Sequence, residues 1–351
     1  MTARPPCNVQ RGFSLIEIMV GIVIGMIAVL VIYQVFAAAE GIKRNTTSVG
    51  DAQQNGLLSS FMLGIELANG SNGVADAMAQ LGNCTAGTNA ANSLRPIPIL
   101  ISDGGGDTTP DTFVVNYSVA QRRVTAAPVV AQGGTSYTVQ QSPLGFANND
   151  LIIAIPSSTG DCAASRVTSV TGAPSFTCPA TDQSGCVTLS VAATVPAAYV
   201  LNMGPTTGGV VQRVQYDVNA GVLRSTVLWN TDGQAVAQPP NPIASNIVNM
   251  KLLYGVDNGA GGITWTPATG QWLDANVLAA NNSTVGKIRA VRIGIIVRGE
   301  QWDKTAGDVP WQLFDGAVQL NGTFPAAGGN YRYRTYETTI PLRNSLFNPV
   351  S

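Results

Sequence analysis

The sequence contains no histidine, and charged residues make up only 11% of its 351 positions. Without histidine, Ser-His-Asp and Cys-His catalysis and the usual histidine-containing zinc sites are excluded. The 19 basic and 20 acidic residues leave no basic excess, so direct nucleic-acid binding is not predicted. We therefore expect no enzyme, no catalytic residue, and no cofactor or metal.

Small and turn-forming residues are abundant, with 38 glycines and 20 prolines. Such a composition favours a β-rich, loop-rich globular part over a helical one. With 45% hydrophobic residues, the chain is long enough to bury a sizeable core.

One run without charge lies near the N-terminus, at residues 18–39, and Gln34 is its most polar member. A membrane-spanning helix needs about 20 apolar residues, so the run predicts a transmembrane helix. Glu17 precedes the run directly. A carboxylate in such a segment costs about 2.5–3.5 kcal/mol on insertion scales, so we expect Glu17 to have a partner.

The residues before the run are short and polar and end in Gly12, which Phe13 follows. This order resembles a type IV prepilin leader, because a secretory signal has its apolar region before the cleavage site. The resemblance implies that prepilin peptidase cleaves between Gly12 and Phe13 and methylates the new amino group of Phe13. It also implies that Glu17 forms an ion pair with the α-amine of a neighbouring subunit. The alternative is an uncleaved single-pass anchor.

The resemblance also sets the expected topology, because Arg4 and Arg11 before the run are matched by Lys43 and Arg44 after it. The numbers of positive charges on the two sides of the run are therefore equal and do not set an orientation. The resemblance implies a cytoplasmic leader and hence a periplasmic head at the inner membrane. The expected domains are a leader at 1–12, a transmembrane half-helix at 13–39, a periplasmic half-helix at 40–68 and a β-rich head at 69–351.

Beyond the run, apolar residues recur at helical spacing and predict that the helix continues to about Ala68 and packs one face on the head. They are Val49, Leu57, Leu58, Phe61, Met62 and Ile65. Several glycines in this stretch leave two separate helices as the alternative. Within the apolar run, Gly21 and Gly25 form a Gly-x-x-x-Gly pattern that permits close helix packing, although a chance match is equally compatible.

Five cysteines are present, and Cys7 lies in the predicted leader. The four that remain are Cys84, Cys162, Cys178 and Cys186. An even number in an exported domain predicts two disulfides, with three possible pairings. Local spacing favours Cys178 with Cys186 and Cys84 with Cys162. A metal site is the alternative, but no Cys-x-x-Cys pair supports it.

The sequence pattern predicts that the head consists of short strands and that residues 69–110 form loops. The predicted strands are 112–118, 151–156, 166–170, 187–191, 199–203, 210–218, 222–229, 247–255, 288–298 and 338–342. Two glycine-rich acidic loops, 103–107 and 257–262, are candidate calcium sites, but neither has the EF-hand spacing, and turn chemistry explains both equally well.

Several head segments resemble the PilW family of type IV minor pilins. They are residues 111–117, 149–155, 160–162, 166–168, 247–257, 290–298 and 336–344. The resemblance implies an α+β fold, in which a long N-terminal transmembrane and amphipathic helix packs on a β-rich, disulfide-containing head. Major pilins usually have a proline where this chain has Gln34, a departure that speaks against a bulk filament subunit.

The resemblance implies a non-catalytic minor pilin that primes pilus assembly and sits at the pilus tip, supporting twitching motility and adhesion. The implied partners are prepilin peptidase, other minor pilins, the major pilin, the inner membrane and a PilY-type tip adhesin. Two alternatives stay open: a J-type pseudopilin of type II secretion, and a membrane-anchored periplasmic binding protein or adhesin.

Overall fold

A computed structural model describes most of the chain. The described residues are 12–70, 72–73, 78–81, 83–85, 97–118, 125–140, 145–172, 186–206, 211–228, 238–279, 282–302, 308–316, 318–324 and 330–342. The chain forms two compact units, Met1–Asp51 and Ala52–Ser351.

Helix α1, Leu15–Asn69, is continuous, so the alternative of two separate helices is wrong. It is long and apolar enough to cross a membrane, with a mean hydropathy of 2.9 in its most apolar window. In the first unit, every large apolar side chain from Phe13 to Ile42 is more than half exposed. An aqueous environment does not suit such a surface, whereas a bilayer or another apolar helix does.

In the second unit, α1 contributes one narrow face to the core of the head. This inner face consists of Ala52, Gly56, Ser59, Leu63 and Leu67, which are all buried. Their spacing of three and four residues places them on one side of a helix with 3.6 residues per turn. Leu63 and Leu67 are fully buried in the largest hydrophobic cluster.

The periodic residues that predicted this part of the helix lie on its other side. Leu57, Leu58, Phe61, Met62 and Ile65 are all exposed. The helix itself was therefore predicted correctly, but the residues that pack on the head are mostly the smaller ones. A small residue such as Gly56 lets the helix backbone come close to the sheets, which a bulky side chain prevents.

Two antiparallel sheets form most of the main core with this helix, and a third sheet adds Leu151, Ile153 and Leu201 to it. The first has the order β14-β13-β12-β3-β2, with β2 at Ile99–Ser102, β3 at Thr112–Ser118, β12 at Val211–Asn219, β13 at Val222–Val227 and β14 at Asn241–Ser245. The second has the order β16-β15-β17-β20, with β15 at Ile247–Asp257, β16 at Ile263–Pro267, β17 at Ile288–Arg298 and β20 at Tyr333–Pro341. The predicted hairpin turns at Ala220 and Gly221, which both have positive φ as a two-residue turn of type I′ requires.

A third sheet of seven strands has its own hydrophobic cluster. Its order is β8-β6-β11-β4-β5-β10-β9, with β4 at Ala127–Gly133, β5 at Ser136–Val139, β6 at Asp150–Ile155, β8 at Ala163–Arg166, β9 at Ser169–Thr171, β10 at Val187–Ser190 and β11 at Tyr199–Pro205. Only Val167 and Thr168 separate its two edge strands in the chain. The predicted strand 166–170 is therefore wrong, because Val167 N–H bonds to Asp150 O and Thr168 N–H to Ser190 O, on opposite edges of the sheet.

The shorter elements complete the described part of the head. They are α2 at Met78–Leu81, α3 at Asp274–Ala279, α4 at Asn282–Val285, a 3-10 turn at Gly270–Trp272, the parallel pair of β1 at Cys84–Thr85 with β7 at Gly160–Asp161, and the hairpin of β18 at Val309–Leu313 with β19 at Leu320–Phe324. The prediction of loops throughout 69–110 is wrong at α2, β1 and β2. The sequence around α2 and β1 is rich in Gly, Asn and Ser, whereas β2 consists mostly of β-favouring apolar residues.

Candidate functional site

The predicted cleavage point lies just outside helix α1. Gly12, Phe13 and Ser14 precede the first helical residue, Leu15. The Phe13 side chain is 85% exposed, and a Cβ built on Gly12 would have no neighbour within 4 Å. The Gly12–Phe13 peptide bond thus lies outside the helix, and no described residue packs against it at Gly12. Its cleavage and the methylation of Phe13 stay predictions.

Glu17 lies in the first turn of α1 and interacts with the residue that opens the helix. The Ser14 N–H donates to Glu17 Oε2 at 3.4 Å, and Ser14 O accepts from the N–H groups of Glu17 and Ile18 at 3.0 and 3.2 Å. A serine followed three residues later by a glutamate is the arrangement of a capping box. A negative charge near a helix N-terminus is also favourable. The intersubunit ion pair of Glu17 stays a prediction.

Gly21 and Gly25 lie one turn apart on α1. A Cβ built on either glycine would meet no atom within 4 Å. Among the described residues, none therefore packs against the face of α1 that carries Gly21 and Gly25. Its use in helix packing stays a prediction.

Glu66 connects the last turn of α1 to the five-stranded sheet. The Tyr117 hydroxyl donates to Glu66 Oε2 at 2.6 Å, and Tyr216 also hydrogen-bonds to Glu66. Burial raises the pKa of Tyr117 and of Tyr216 well above the ordinary value, and the Glu66 charge raises both pKa values further. The two hydroxyls therefore remain donors, and they hold the helix end in register with β3 and β12.

Two further contacts hold α1 against the sheets of the head, next to and within the inner face. Asn55 Nδ2 donates to the Ser245 carbonyl oxygen at 3.3 Å, at the end of β14. Gly56 lies against the ring of Tyr336 from β20, and a Cβ at this position would overlap that ring. The helix is thus held at the edge strands of both main sheets.

The structure contains the disulfide Cys84–Cys162, with Cα atoms 5.1 Å apart and both residues buried. This pairing was the one favoured by spacing. The bond joins β1 to the residue after β7 across 78 positions of sequence. Cys186 is also disulfide-bonded. Cys178 lies outside the described residues, so the pairing of Cys178 with Cys186 stays a prediction.

The first glycine-rich acidic loop is held by a lysine of the neighbouring strand. Lys251 Nζ lies 2.6 Å from Asp111 Oδ1 and 3.5 Å from Asp103 Oδ1. Asp111 also accepts the N–H groups of Gly104 and Leu252. Burial raises the pKa of Asp111, and these hydrogen bonds oppose the shift. The chain's own ammonium group thus lies beside Asp103, one of the two carboxylates of the loop 103–107.

The second such loop is a turn with side-chain caps. The N–H of Gly259 bonds to Asp257 Oδ1 at 2.8 Å, and Asn258 Oδ1 accepts the N–H groups of Ala260 and Gly262 at 2.9 and 3.0 Å. These are the local bonds that Asp and Asn form in turns. Among the described residues, no cluster of three or more metal-ligating side chains is present.

Sequence reasoning missed the pairing of Lys251 with Asp111 and the role of Glu66. A signal existed for Lys251, because it is the single charge within the apolar strand predicted at 247–255. A lone lysine in a buried strand requires an anionic partner. The sequence pattern carried no comparable signal for Glu66, since its partners come from strands far along the chain.

Comparison with known families adds two matches. The family model of the prokaryotic N-terminal methylation motif matches residues 7–33. The family model of type IV pilus-assembly protein W, PilW, matches residues 214–344, from β12 to beyond β20.

Residues 214–344 thus resemble the PilW family, and the N-terminus carries the methylation motif of pilins. The two matches together support a minor pilin role in type IV pilus assembly. The methylation motif implies processing by prepilin peptidase and assembly with other pilins. The apolar α1 together with this motif fits a membrane-anchored pilin.

Two further comparisons add little to the PilW assignment. No curated protein matches the chain. Among solved structures, a type IV-like pilin from Thermus thermophilus is 12% identical, with 57% of this chain and 86% of that chain covered and a TM-score of 0.21. A TM-score this low carries no argument.

Proposed function

We propose that the protein is a minor pilin that helps to initiate type IV pilus assembly at the inner membrane and that sits at the pilus tip. In this role it supports twitching motility and adhesion. Prepilin peptidase cleaves between Gly12 and Phe13 and methylates Phe13. Before assembly, the leader faces the cytoplasm, residues 13–39 span the membrane, and residues 40–68 and the head at 69–351 lie in the periplasm.

The observation that carries this proposal is the position of Glu17 in the first turn of an exposed apolar helix. Its bond from the Ser14 N–H is long, at 3.4 Å, and leaves most of the carboxylate's acceptor capacity unused. Two opposite charges 4 Å apart attract by about 4 kcal/mol at an effective dielectric constant of 20. That attraction offsets much of the insertion cost of about 2.5–3.5 kcal/mol for the carboxylate, so an α-amine from a neighbouring subunit suits Glu17 as a partner.

The uninterrupted helix supports a minor rather than a major pilin. Gln34 stands inside α1, which has no break there, whereas a proline at that position would remove a backbone hydrogen bond and loosen the helix. The PilW match favours the pilus over a J-type pseudopilin of type II secretion. A PilY-type adhesin at the tip is the expected partner of the head.

Deletion and complementation test the proposal. We expect a deletion strain to lose surface pili and twitching, and the full-length gene to restore both. Loss of protein secretion with normal pili would instead identify a type II secretion pseudopilin. Normal pili with lost adhesion would identify a membrane-anchored binding protein.

A further inference from the structure

We propose that the side chains of Lys251 and Asp111 condense to an amide, which cross-links strand β15 to the residue before β3, and that Asp103 carries a proton in this step. In the structure the three side chains are in the reactant state, as one ammonium group and two carboxylates. The inference concerns a covalent modification inside the head and does not depend on the proposed function in pilus assembly.

The structure holds the two condensing groups in contact. Lys251 Nζ lies 2.6 Å from Asp111 Oδ1. Because a C–O bond is about 1.23 Å long, the lysine nitrogen is within about 3.8 Å of the Asp111 carboxyl carbon. The pair is therefore at or close to the separation of about 3–3.5 Å from which a bound nucleophile attacks.

Backbone hydrogen bonds fix Asp111 opposite Lys251. The Asp111 N–H donates to Met250 O at 2.8 Å, and Asp111 Oδ2 accepts the Leu252 N–H at 2.9 Å. The Gly104 N–H donates to the other carboxylate oxygen, Oδ1, at 3.0 Å. The carboxyl group cannot turn away without losing these bonds, so Lys251 meets it in one orientation. Such positioning makes an otherwise bimolecular reaction an intramolecular one.

The two condensing groups are shielded from water. The side chains of Lys251 and Asp111 are only 3% and 5% exposed. Burial raises the pKa of Asp111, although its hydrogen bonds to Lys251, Gly104 and Leu252 oppose the shift. Burial thus favours the uncharged acid, which is the form that an amine attacks. Keeping two charges buried is costly, and amide formation removes both of them.

Asp103 is placed to move the proton. Its Oδ1 lies 3.5 Å from Lys251 Nζ, and its side chain is 26% exposed. It therefore borders the reacting nitrogen and also reaches solvent. A carboxylate in this position can take a proton from nitrogen and return it to the leaving oxygen, as a general base and then a general acid.

The condensation balances without an oxidant or another reactant. The ammonium group gives one proton to Asp111 Oδ1, and the free amine attacks the carboxyl carbon. Asp103 takes a second proton from nitrogen as the C–N bond forms, while the Leu252 N–H stabilises the negative charge on Oδ2. Asp103 then gives this proton to Oδ1, and the C–Oδ1 bond breaks with its electron pair on oxygen. One water molecule leaves, and the third proton stays on the amide nitrogen.

Two other ion pairs of the described head show what is particular to this one. In the pairs of Arg224 with Asp217 and of Arg292 with Glu337 the cation is a guanidinium. A guanidinium stays protonated in proteins and offers no free amine. Glu337 is also 28% exposed, so water solvates its carboxylate. Lys251 and Asp111 combine an amine that can lose its proton with a buried acid.

The cross-link changes how the head responds to unfolding. Lys251 and Asp111 are 140 positions apart in sequence, and the strands from β3 to β14 lie between them. The amide closes this segment into a loop, which restricts the unfolded chain as a disulfide does. Tension applied at the two ends of the chain then cannot extend the closed segment.

Mass spectrometry of the full-length protein purified from membranes tests the cross-link. After reduction and digestion we expect a branched peptide in which Lys251 is joined to Asp111. Lys251→Arg is the control, because it keeps the cation but has no amine that condenses. After allowance for the substituted side chain, this variant should be heavier than the parent protein by one water molecule. Equal masses overturn the proposal, and so does a loss of water that maps to a succinimide at Asp103–Gly104 or to any other unbranched peptide.

Asp103→Asn tests the proton carrier. The amide oxygen still accepts a hydrogen bond from Lys251 but does not take its proton, so we expect the branched peptide to form at least about 100-fold more slowly. Its fraction, followed over time after a pulse of isotope-labelled synthesis, measures the rate. Formation at the parental rate overturns the role of Asp103. If a variant does not accumulate, the presence or absence of the branched peptide in the parent protein decides the proposal.

Discussion

The ammonium group of Lys251 and the carboxylate of Asp111 form a buried ion pair, with Nζ 2.6 Å from Oδ1 and side-chain exposures of 3% and 5%. Lys251 lies in β15, and Asp111 ends the glycine-rich loop before β3. Asp111 N–H also bonds to Met250 O at 2.8 Å. The pair therefore connects the two main sheets of the head.

Replacing Lys251 is expected to destabilise the head strongly. Lys251→Met leaves the Asp111 carboxylate buried without its counter-charge, which costs about 3–5 kcal/mol. Denaturant unfolding of the detergent-solubilised full chain, followed by tryptophan fluorescence, measures the change. Lys287→Met, at an exposed lysine, is the control and should change stability by less than about 0.5 kcal/mol. Equal unfolding midpoints for the two variants would contradict the role of the pair.

Stability is expected to fall in alkaline solution. Burial and Glu66 raise the pKa of Tyr117 above its ordinary value of 10.0 in the folded state. The unfolded chain therefore releases this proton first, so the stabilisation is complete below pH 10 and is lost as pH rises above it. Each such tyrosine contributes a slope of about 1.4 kcal/mol per pH unit. Tyr117→Phe should lower that slope by one proton, and unfolding curves between pH 9 and 11.5 measure it. An identical slope in parent and variant would refute this assignment.

Processing is expected to depend on the smallness of Gly12. Gly12→Val places a branched side chain beside a bond that is open in the native chain, and we expect full-length precursor to accumulate. An immunoblot of membranes measures the ratio of precursor to mature protein. Gly21→Val, within the helix, is the control and should be cleaved normally. A mature band of normal intensity for Gly12→Val would exclude cleavage at this position.

Glu17→Ala is expected to be cleaved normally and to drop out of pili by about tenfold or more, because the attraction between charges is lost. Glu17→Gln is the sharper variant, since its amide oxygen still accepts the Ser14 N–H and caps the helix. If charge matters, both variants fail to enter sheared pili. Normal incorporation of Glu17→Gln would show that capping suffices and that no ion pair forms.

Non-reducing peptide mapping is expected to recover Cys84 joined to Cys162 and Cys178 joined to Cys186, without free thiol at these four positions. Cys84→Ser should cost about 2–5 kcal/mol of stability, measured by denaturant unfolding. A free thiol at any of the four residues would contradict the count of two disulfides.

The elements that the sequence predicted correctly are those whose signal comes from neighbouring residues. The apolar run, the strand 112–118, the hairpin around Gly221 and the long strands near 247–255 and 288–298 all appear at or near their predicted bounds. The turn at Gly221 needs positive φ, and the long strands need only continuous β-branched and apolar residues. Each of these signals is carried within a few neighbouring positions.

The two missed features have different causes. Strand β2, Ile99–Ser102, consists mostly of β-favouring residues and pairs with β3, the next strand along the chain. Its local signal was present, but the stretch around it favours loops. The run 166–170 breaks because the two edges of the seven-stranded sheet meet there, and at this place tertiary hydrogen bonds outweigh the local preference of the residues.

The sequence by itself determined that the chain begins with a prepilin-type motif and an apolar helix, because charge, length and the order Gly12, Phe13, Glu17 are local properties. Only the tertiary structure decided which side of that helix the head covers. Leu57 and Phe61 are at least as apolar as Leu63 and far more apolar than Gly56, yet the sheets pack against Gly56 and Leu63, because close packing rewards fit between surfaces as well as apolar area. The larger side chains are left exposed.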